Sequence, residues 1–126
     1  DVERSRGLGD VYKRQEMYRG FAISVVGESF EDIRVVCSQA ADEMLNITGV
    51  DASVTVYPIE NGWSFSARSL GKVNVQVLME NIGNKKDDGG GHLTMAGAQL
   101  YNIDKEEAVQ KLYDAIDKYY NNLPQD

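Results

Sequence analysis

The sequence predicts an α/β fold, a two-layer domain in which helices pack on a mixed β-sheet. Short β-branched or alternating apolar segments occur in four places, and apolar residues recur at helical spacing in three others. The predicted order is strand, helix, strand, strand, helix, strand, helix, without internal repeats. A chain of 126 residues, 42% of them hydrophobic, is enough for one domain with its own core.

The first predicted elements are a strand and a helix. The apolar run over 21–26 is typical of a buried strand. Ser29, followed three residues later by Asp32, resembles a capping box, and the apolar stripe behind it predicts a helix over 30–46. Cys37 lies on that stripe, which favours a buried structural thiol over a nucleophile.

A β-hairpin and a second helix come next. Residues 52–59 alternate in polarity, Asn61-Gly62 is a tight-turn signal, and 63–69 predicts the returning strand. The following apolar stripe predicts a helix over 73–82.

The last third of the chain begins with a predicted loop. Residues 83–91 are rich in glycine and charge, and 95–103 predict a small-residue turn followed by a strand. Asp104, with Glu107 three residues later, predicts the cap of a final helix that ends near Leu123.

Residues 1–15 differ from the remainder in composition. They carry four of the thirteen basic residues and show neither a helical stripe nor strand alternation. We therefore expect a non-native or disordered leader, and we assign the domain to residues 16–126.

Charge and residue counts limit the chemistry. The net charge of −7 disfavours a protein held on duplex DNA by phosphate neutralisation. The single cysteine excludes an internal disulfide framework and a zinc site built from several cysteines. The single histidine excludes a metal centre built from several histidines. No apolar run approaches the ~18 residues of a membrane span, which predicts no direct membrane contact.

One segment suggests a binding site. Gly89, Gly90 and Gly91 precede the only histidine, His92, and a small Ala96-Gly97 pair follows. Consecutive glycine amides can form a concave nest for phosphate oxygens without net positive charge. We favour a phosphate site over a merely flexible loop.

This segment resembles the DHH-associated C-terminal domain of DHH-family phosphoesterases. The signature is Gly-Gly-Gly-His, three residues, then Ala-Gly, and Ala67-Arg68-Ser69 upstream also matches. The stretches from Arg68 to Glu80 and from His92 to Leu100 are similar to membrane-anchored bacterial cyclic-di-AMP phosphodiesterases. The resemblance covers about residues 17–122.

The resemblance implies a substrate-binding half of an enzyme, with no catalytic residue in this fragment. A preceding DHH domain would hold two Mn²⁺ ions and activate water, whereas this domain would bind a cyclic dinucleotide or short oligonucleotide. It would lie in the cytoplasm as part of a membrane-anchored parent that forms a homodimer.

Site residues follow from the same resemblance. Gly89, Gly90 and Gly91 would cradle a phosphate, and His92 would contact the phosphodiester or the adjoining base. Arg68 would make a charge-assisted phosphate contact, singly or bidentately, with the Ser69 hydroxyl beside it. The segment 83–88 departs from the family pattern by lengthening the chain before the glycines.

Two alternatives remain open at this point. The domain could belong to an oligoribonuclease or single-strand exonuclease of the same superfamily. It could also be a non-catalytic regulatory or dimerisation module, with the tyrosine-rich last helix as its interface.

Overall fold

The computed structural model describes residues 2–83 and 89–123, and in this part of the chain four helices flank a six-stranded sheet. The strand order is β1-β2-β3-β4-β6-β5. Along the chain the elements are α1 (Val2–Lys13), β1 (Glu16–Tyr18), β2 (Phe21–Val25), α2 (Ile33–Met44), β3 (Ala52–Ile59), β4 (Gly62–Ser69), α3 (Val75–Ile82), β5 (Gly89–His92), β6 (Met95–Tyr101) and α4 (Lys105–Asn121).

The sheet is mixed because one pair of neighbouring strands is parallel and the other pairs are antiparallel. Strands β2 and β3 pair in parallel, and α2 joins them. The other four strand pairs are antiparallel. A parallel pair needs such a crossover helix, whereas antiparallel neighbours do not. The α3 connection from β4 to β5 also crosses over, since β6 lies between these two strands. The predicted α/β fold with a mixed sheet is therefore confirmed.

Alternation along β3 divides the two faces of the sheet. Val54 and Val56 are fully buried in the main core with Phe65 and with apolar residues of α3 and α4. The sheet and the helices α3 and α4 on this face form the predicted two-layer arrangement. On the other face Thr55 donates its hydroxyl to the carbonyl of Cys37 at 3.1 Å, so α2 covers that face. We call the face that carries α2 the polar face.

The structure confirms one of the two predicted helix caps, adds a cap at Asn74 and corrects the other prediction. Asp104 accepts a hydrogen bond from the amide of Glu107 at 2.8 Å, as a side-chain cap should. Asn74 caps α3 by accepting from the amides of Gln76 and Val77. The predicted Ser29 cap is wrong, because α2 begins after Asp32, which adopts a left-handed conformation with φ 62°.

The predicted loop over 83–91 is wrong for its last three residues, Gly89–Gly91. Gly89–His92 form strand β5 rather than a loop, and the small residues Ala96 and Gly97 lie within β6 rather than in a turn. Backbone pairing with β6 supports this strand, although glycine has low intrinsic strand propensity. Residues 84–88 lie outside the described residues.

The N-terminal segment contains a helix that the sequence pattern does not predict. Val2–Lys13 form α1, which packs against α2, and Val11 is buried. Ser24 donates its hydroxyl to the Val11 carbonyl at 2.7 Å. Residues 2–13 are thus helical and packed, and the expectation that residues 1–15 are a non-native or disordered leader stays a prediction.

Candidate functional site

Strand register brings Arg68 and His92 onto one face of the sheet. Arg68 of β4 pairs with Met95 of β6, and Met95 pairs with His92 of β5. Directly paired residues project from the same face, so the two basic side chains flank Met95. Adjacent strands lie ~4.8 Å apart, which separates the backbones of Arg68 and His92 by about 10 Å. We call Arg68, Met95 and His92 the arginine–histidine row.

Arg68 is held by α2 and by its own strand. Its Nε donates to Asp42 Oδ1 at 3.0 Å, and its Nη1 donates to the carbonyl of Ala67 at 2.9 Å. Only 11% of the Arg68 side chain is exposed, against 60% of the Asp42 side chain. Because Nε already has a partner, Arg68 in this conformation can offer a ligand only its Nη side. The expected phosphate contact stays a prediction, but a side-on bidentate form through Nε and one Nη would require Asp42 to move.

The Ser69 hydroxyl is engaged within the chain. It donates to the Val73 carbonyl at 2.7 Å and accepts from the amide of Gly71 at 3.2 Å. These bonds close the turn between β4 and α3, where Gly71 has a φ of 117°. A hydroxyl at this position organises the turn that follows Arg68. Direct contact of Ser69 with a ligand stays a prediction.

The three glycines form an edge strand and therefore present their amides differently from a nest. In extended backbone, successive N–H groups point in opposite directions. Among the described strands, β5 lies at one edge of the sheet and pairs only with β6. Two of the four residues in Gly89–His92 therefore direct their amides outward from the sheet. These outward amides are donors for an anionic ligand at the edge.

The polar face is open beyond α2. Helix α2 packs against β3 and β4, whereas α3 contacts β5 and β6 from the opposite side. His92, Met95, Gln99 and Tyr101 are exposed on the polar face in the described part of the chain. We define the open surface by six residues: Gly90, His92, Met95, Gly97, Gln99 and Tyr101.

Small residues form the middle of the open surface. Next to the arginine–histidine row, Ser66 pairs with Gly97, and Gly97 pairs with Gly90. We call these three residues the glycine row. A Cβ added to Gly97 would lie 3.1 Å from the carbonyl oxygen of Phe65. The absence of side chains here leaves room for a ligand to approach the backbone of two adjacent strands.

Sequence reasoning missed several residues of this surface. In β6, Met95, Gln99 and Tyr101 are exposed, whereas Ala96, Ala98 and Leu100 are buried. This strict alternation along β6 predicts a strand with one open and one buried face. The alternation is the sequence signal that could have identified the exposed residues of β6. Asp42 gave no such signal, because its pairing with Arg68 spans 26 residues of sequence.

Neither a metal-ligand cluster nor a membrane-spanning helix is found among the described residues. No group of three or more His, Cys, Asp or Glu side chains in residues 2–83 and 89–123 could hold a metal ion. None of the helices described in this chain has the length and apolarity needed to cross a bilayer.

Comparison with known sequences identifies relatives over most of the chain. The family model of the DHHA1 domain matches residues 20–122. The cyclic-di-AMP phosphodiesterase PdeA of Listeria monocytogenes is 44% identical over 108 residues, which are 83% of this chain and 16% of PdeA. The cyclic-di-AMP phosphodiesterase GdpP of Bacillus subtilis is 43% identical over 102 residues, covering 79% of this chain and 15% of GdpP.

A solved structure has the same arrangement. An exopolyphosphatase-related protein from Bacteroides fragilis superposes with a TM-score of 0.82 and 26% identity, covering 96% of this chain and 36% of that one. The chain thus spans about a sixth of its phosphodiesterase relatives and about a third of this structural neighbour.

Proposed function

Because this chain belongs to the DHHA1 domain family, we propose that it binds the nucleotide substrate of a cyclic-di-AMP phosphodiesterase. Support comes from the relatives PdeA and GdpP, whose names state that activity, and from the 44% and 43% identity. The chain spans only 16% and 15% of these proteins, so the hydrolytic step belongs to the parent enzyme.

One observation carries the proposal: Arg68 and His92 share a row of the sheet, and that row leads from the largely buried Arg68 to the open surface at His92, in the glycine edge strand. The guanidinium supplies a fixed positive charge, and the imidazole and outward amides supply donors. Together they suit a single phosphodiester group. A long polyanion is disfavoured because the net charge is −7.

The two Mn²⁺ ions that the resemblance implies do not fit the described residues of this chain, which gather no suitable ligand group. We assign the ions to a separate DHH domain of the parent. When bound there, they would supply the activated water for attack on phosphorus. This chain's own contribution is to hold and orient the phosphodiester.

The parent's architecture is part of the same proposal. We place this domain on the cytoplasmic side of a membrane-anchored, homodimeric enzyme, as the subfamily resemblance implies. Fractionation and size measurement of the full parent would test that arrangement.

The proposal is tested by titrating this chain with cyclic-di-AMP while recording amide NMR spectra. We expect saturable shifts at Gly89, Gly90, Gly91 and His92. The substitutions Arg68→Ala and His92→Ala should each weaken binding by about tenfold to a hundredfold, since a bond to a charged group contributes ~1.5–3 kcal/mol.

Arg19→Asn is the matched control for the arginine substitution. Arg19 also pairs with an aspartate, Asp117, at 2.9 Å, but it lies in the turn between β1 and β2 at the opposite edge of the sheet. Asparagine tolerates the φ of 48° at this position. Equal losses in the Arg19 and Arg68 variants, or unchanged affinity in both site variants, would refute the proposal.

A further inference from the structure

A cavity of about 510 Å³ lies at the hairpin end of the open surface. Its floor contains Ser64 and Gln99, which pair directly across β4 and β6. Tyr101 and Arg34 line its sides. Its volume falls within the ~300–1,000 Å³ typical of small-molecule sites.

The cavity continues the proposed phosphate site along the same strands. Ser64 lies four residues before Arg68 on β4, and Gln99 lies four residues after Met95 on β6. At ~3.3 Å per residue, the cavity is centred about 13 Å from the arginine–histidine row. The glycine row lies between them, so no large side chain of that row separates the cavity from the phosphate site.

The lining chemistry favours a planar heterocycle over a second phosphate. Tyr101 exposes 55% of its surface and offers an aromatic face for stacking. Gln99 is exposed and offers an amide with both donor and acceptor groups. The charges of Arg34 and Glu60, which both line the cavity, offset each other.

We propose that this cavity binds a nucleobase of the ligand, with Tyr101 stacking on its ring and Gln99 reading its hydrogen-bonding edge. The inference rests on the proposed function, since the base must belong to a nucleotide whose phosphate lies at the arginine–histidine row. It goes further by assigning base selection to Gln99. A carboxamide can pair with N6 and N7 of adenine, whereas guanine presents two acceptors there.

The first test compares three ligands on this chain by amide NMR: cyclic-di-AMP, cyclic-di-GMP and inorganic phosphate. We expect phosphate to shift only Gly89–His92. Cyclic-di-AMP should shift these residues and also Ser64, Gln99 and Tyr101. Its affinity should exceed that of cyclic-di-GMP by about tenfold, the discrimination typical of one bidentate base contact.

Two substitutions on the open surface then assign the roles. Gln99→Leu should lower the affinity for cyclic-di-AMP about tenfold and remove its advantage over cyclic-di-GMP. Tyr101→Ala should weaken both cyclic dinucleotides by about tenfold, because stacking is tolerant of base identity. Gln110→Leu is the matched control, since Gln110 is an exposed glutamine of α4 paired with Asp114.

The outcomes separate the inference from the function on which it rests. Shifts at Gly89–His92 without shifts at Gln99 and Tyr101 would overturn the inference and leave the proposed function intact. Equal losses for both cyclic dinucleotides in Gln99→Leu would overturn the assignment of base selection. Absence of shifts throughout, with every ligand, would overturn both.

Discussion

Asp42 of α2 holds the guanidinium of Arg68 of β4 through an Nε–Oδ1 contact of 3.0 Å. The contact joins the helix of the polar face to the strand that ends beside the turn at Ser69. It also places a carboxylate next to the cation on which the proposed phosphate site depends. Asp42 therefore has two opposing effects: it orients Arg68, and it lowers the local positive potential.

Replacing Asp42 by asparagine separates these effects. The carboxamide would keep an acceptor for Nε and remove the negative charge, while the Ala67 carbonyl still holds Nη1. We expect Asp42→Asn to tighten cyclic-di-AMP binding about twofold to fivefold, in line with ~0.2–1 kcal/mol for exposed ion pairs. Isothermal titration at low and high salt would measure the change, which should shrink as salt rises.

Asp42→Ala serves as the comparison, because it removes both the charge and the acceptor. We expect it to bind less tightly than Asp42→Asn. If the asparagine variant bound more weakly than the unmodified chain, the carboxylate would be required for orientation and its opposing electrostatic effect would be secondary.

Ser69→Ala should affect folding more than binding. The hydroxyl donates to the Val73 carbonyl and accepts from the Gly71 amide, and its loss leaves both groups short of a partner. We expect the free energy of unfolding to fall by about 1–3 kcal/mol, as for other buried hydrogen bonds. Urea unfolding would measure this change.

The affinity of the folded Ser69→Ala variant for cyclic-di-AMP should stay within about twofold of the unmodified chain, because no ligand contact is needed to explain the hydroxyl. A tenfold loss of affinity would instead support the direct contact that the family resemblance implies for Ser69.

Local signals explain why most of the fold could be predicted from the sequence. The Asn61-Gly62 signal and the alternation on both sides of it identify the central hairpin. The register from Ala52 to Ile59 confirms the hairpin and places its two-residue turn at Glu60 and Asn61. The apolar stripes of α3 and α4 are also local patterns, and they identify both helices from the sequence. Strand β1 was missed because it has three residues, only one of them partly buried.

The site could be predicted as a set of residues but not as an arrangement. The motif identifies Gly89–His92, yet strand pairing with β6 is a long-range property that decides their extended conformation. The neighbourhood of Arg68 and His92 depends on β6 lying between β4 and β5, which reverses the chain order. Short-range patterns contain no information on that order.

The contact of β1 with α4 should make stability dependent on acid. Tyr18 and Arg19 donate to the same oxygen of Asp117 at 2.6 and 2.9 Å. The hydrogen bond from Tyr18, followed by that from Arg19, lowers the pKa of the Asp117 carboxyl. The resulting stabilisation is present above the ordinary carboxyl pKa of ~3.9 and is lost as pH falls through the lower value of the folded state.

Asp117→Asn is the test of that dependence. We expect the variant to be less stable at neutral pH and to lose less stability than the unmodified chain between about pH 4 and pH 2. Asp114→Asn, three residues earlier on α4, controls for removal of a carboxylate from the same helix. Identical acid profiles for the Asp117 variant and the unmodified chain would contradict the prediction.

Cys37 should make the stability of the fold depend on pH in the alkaline range. The thiol is fully buried between α2 and the sheet, and burial raises its pKa to about 12. In the unfolded chain a thiol ionises near pH ~8.5, so between these values the folded state binds more protons than the unfolded state. Stability therefore falls as pH rises from about 9 towards 12, and the buried thiol is a poor nucleophile at neutral pH.

Cys37→Ala isolates this contribution from the tyrosines that titrate in the same range. At neutral pH the variant should be less stable by about 1 kcal/mol, because the substitution removes a buried sulfur atom. The difference between the two proteins should narrow as pH rises above about 9, since only the unmodified chain has a thiol to ionise on unfolding. Urea unfolding of both proteins under reducing conditions, at about pH 7 and pH 10, would measure it. A constant difference would mean that the thiol ionises equally readily in the folded chain.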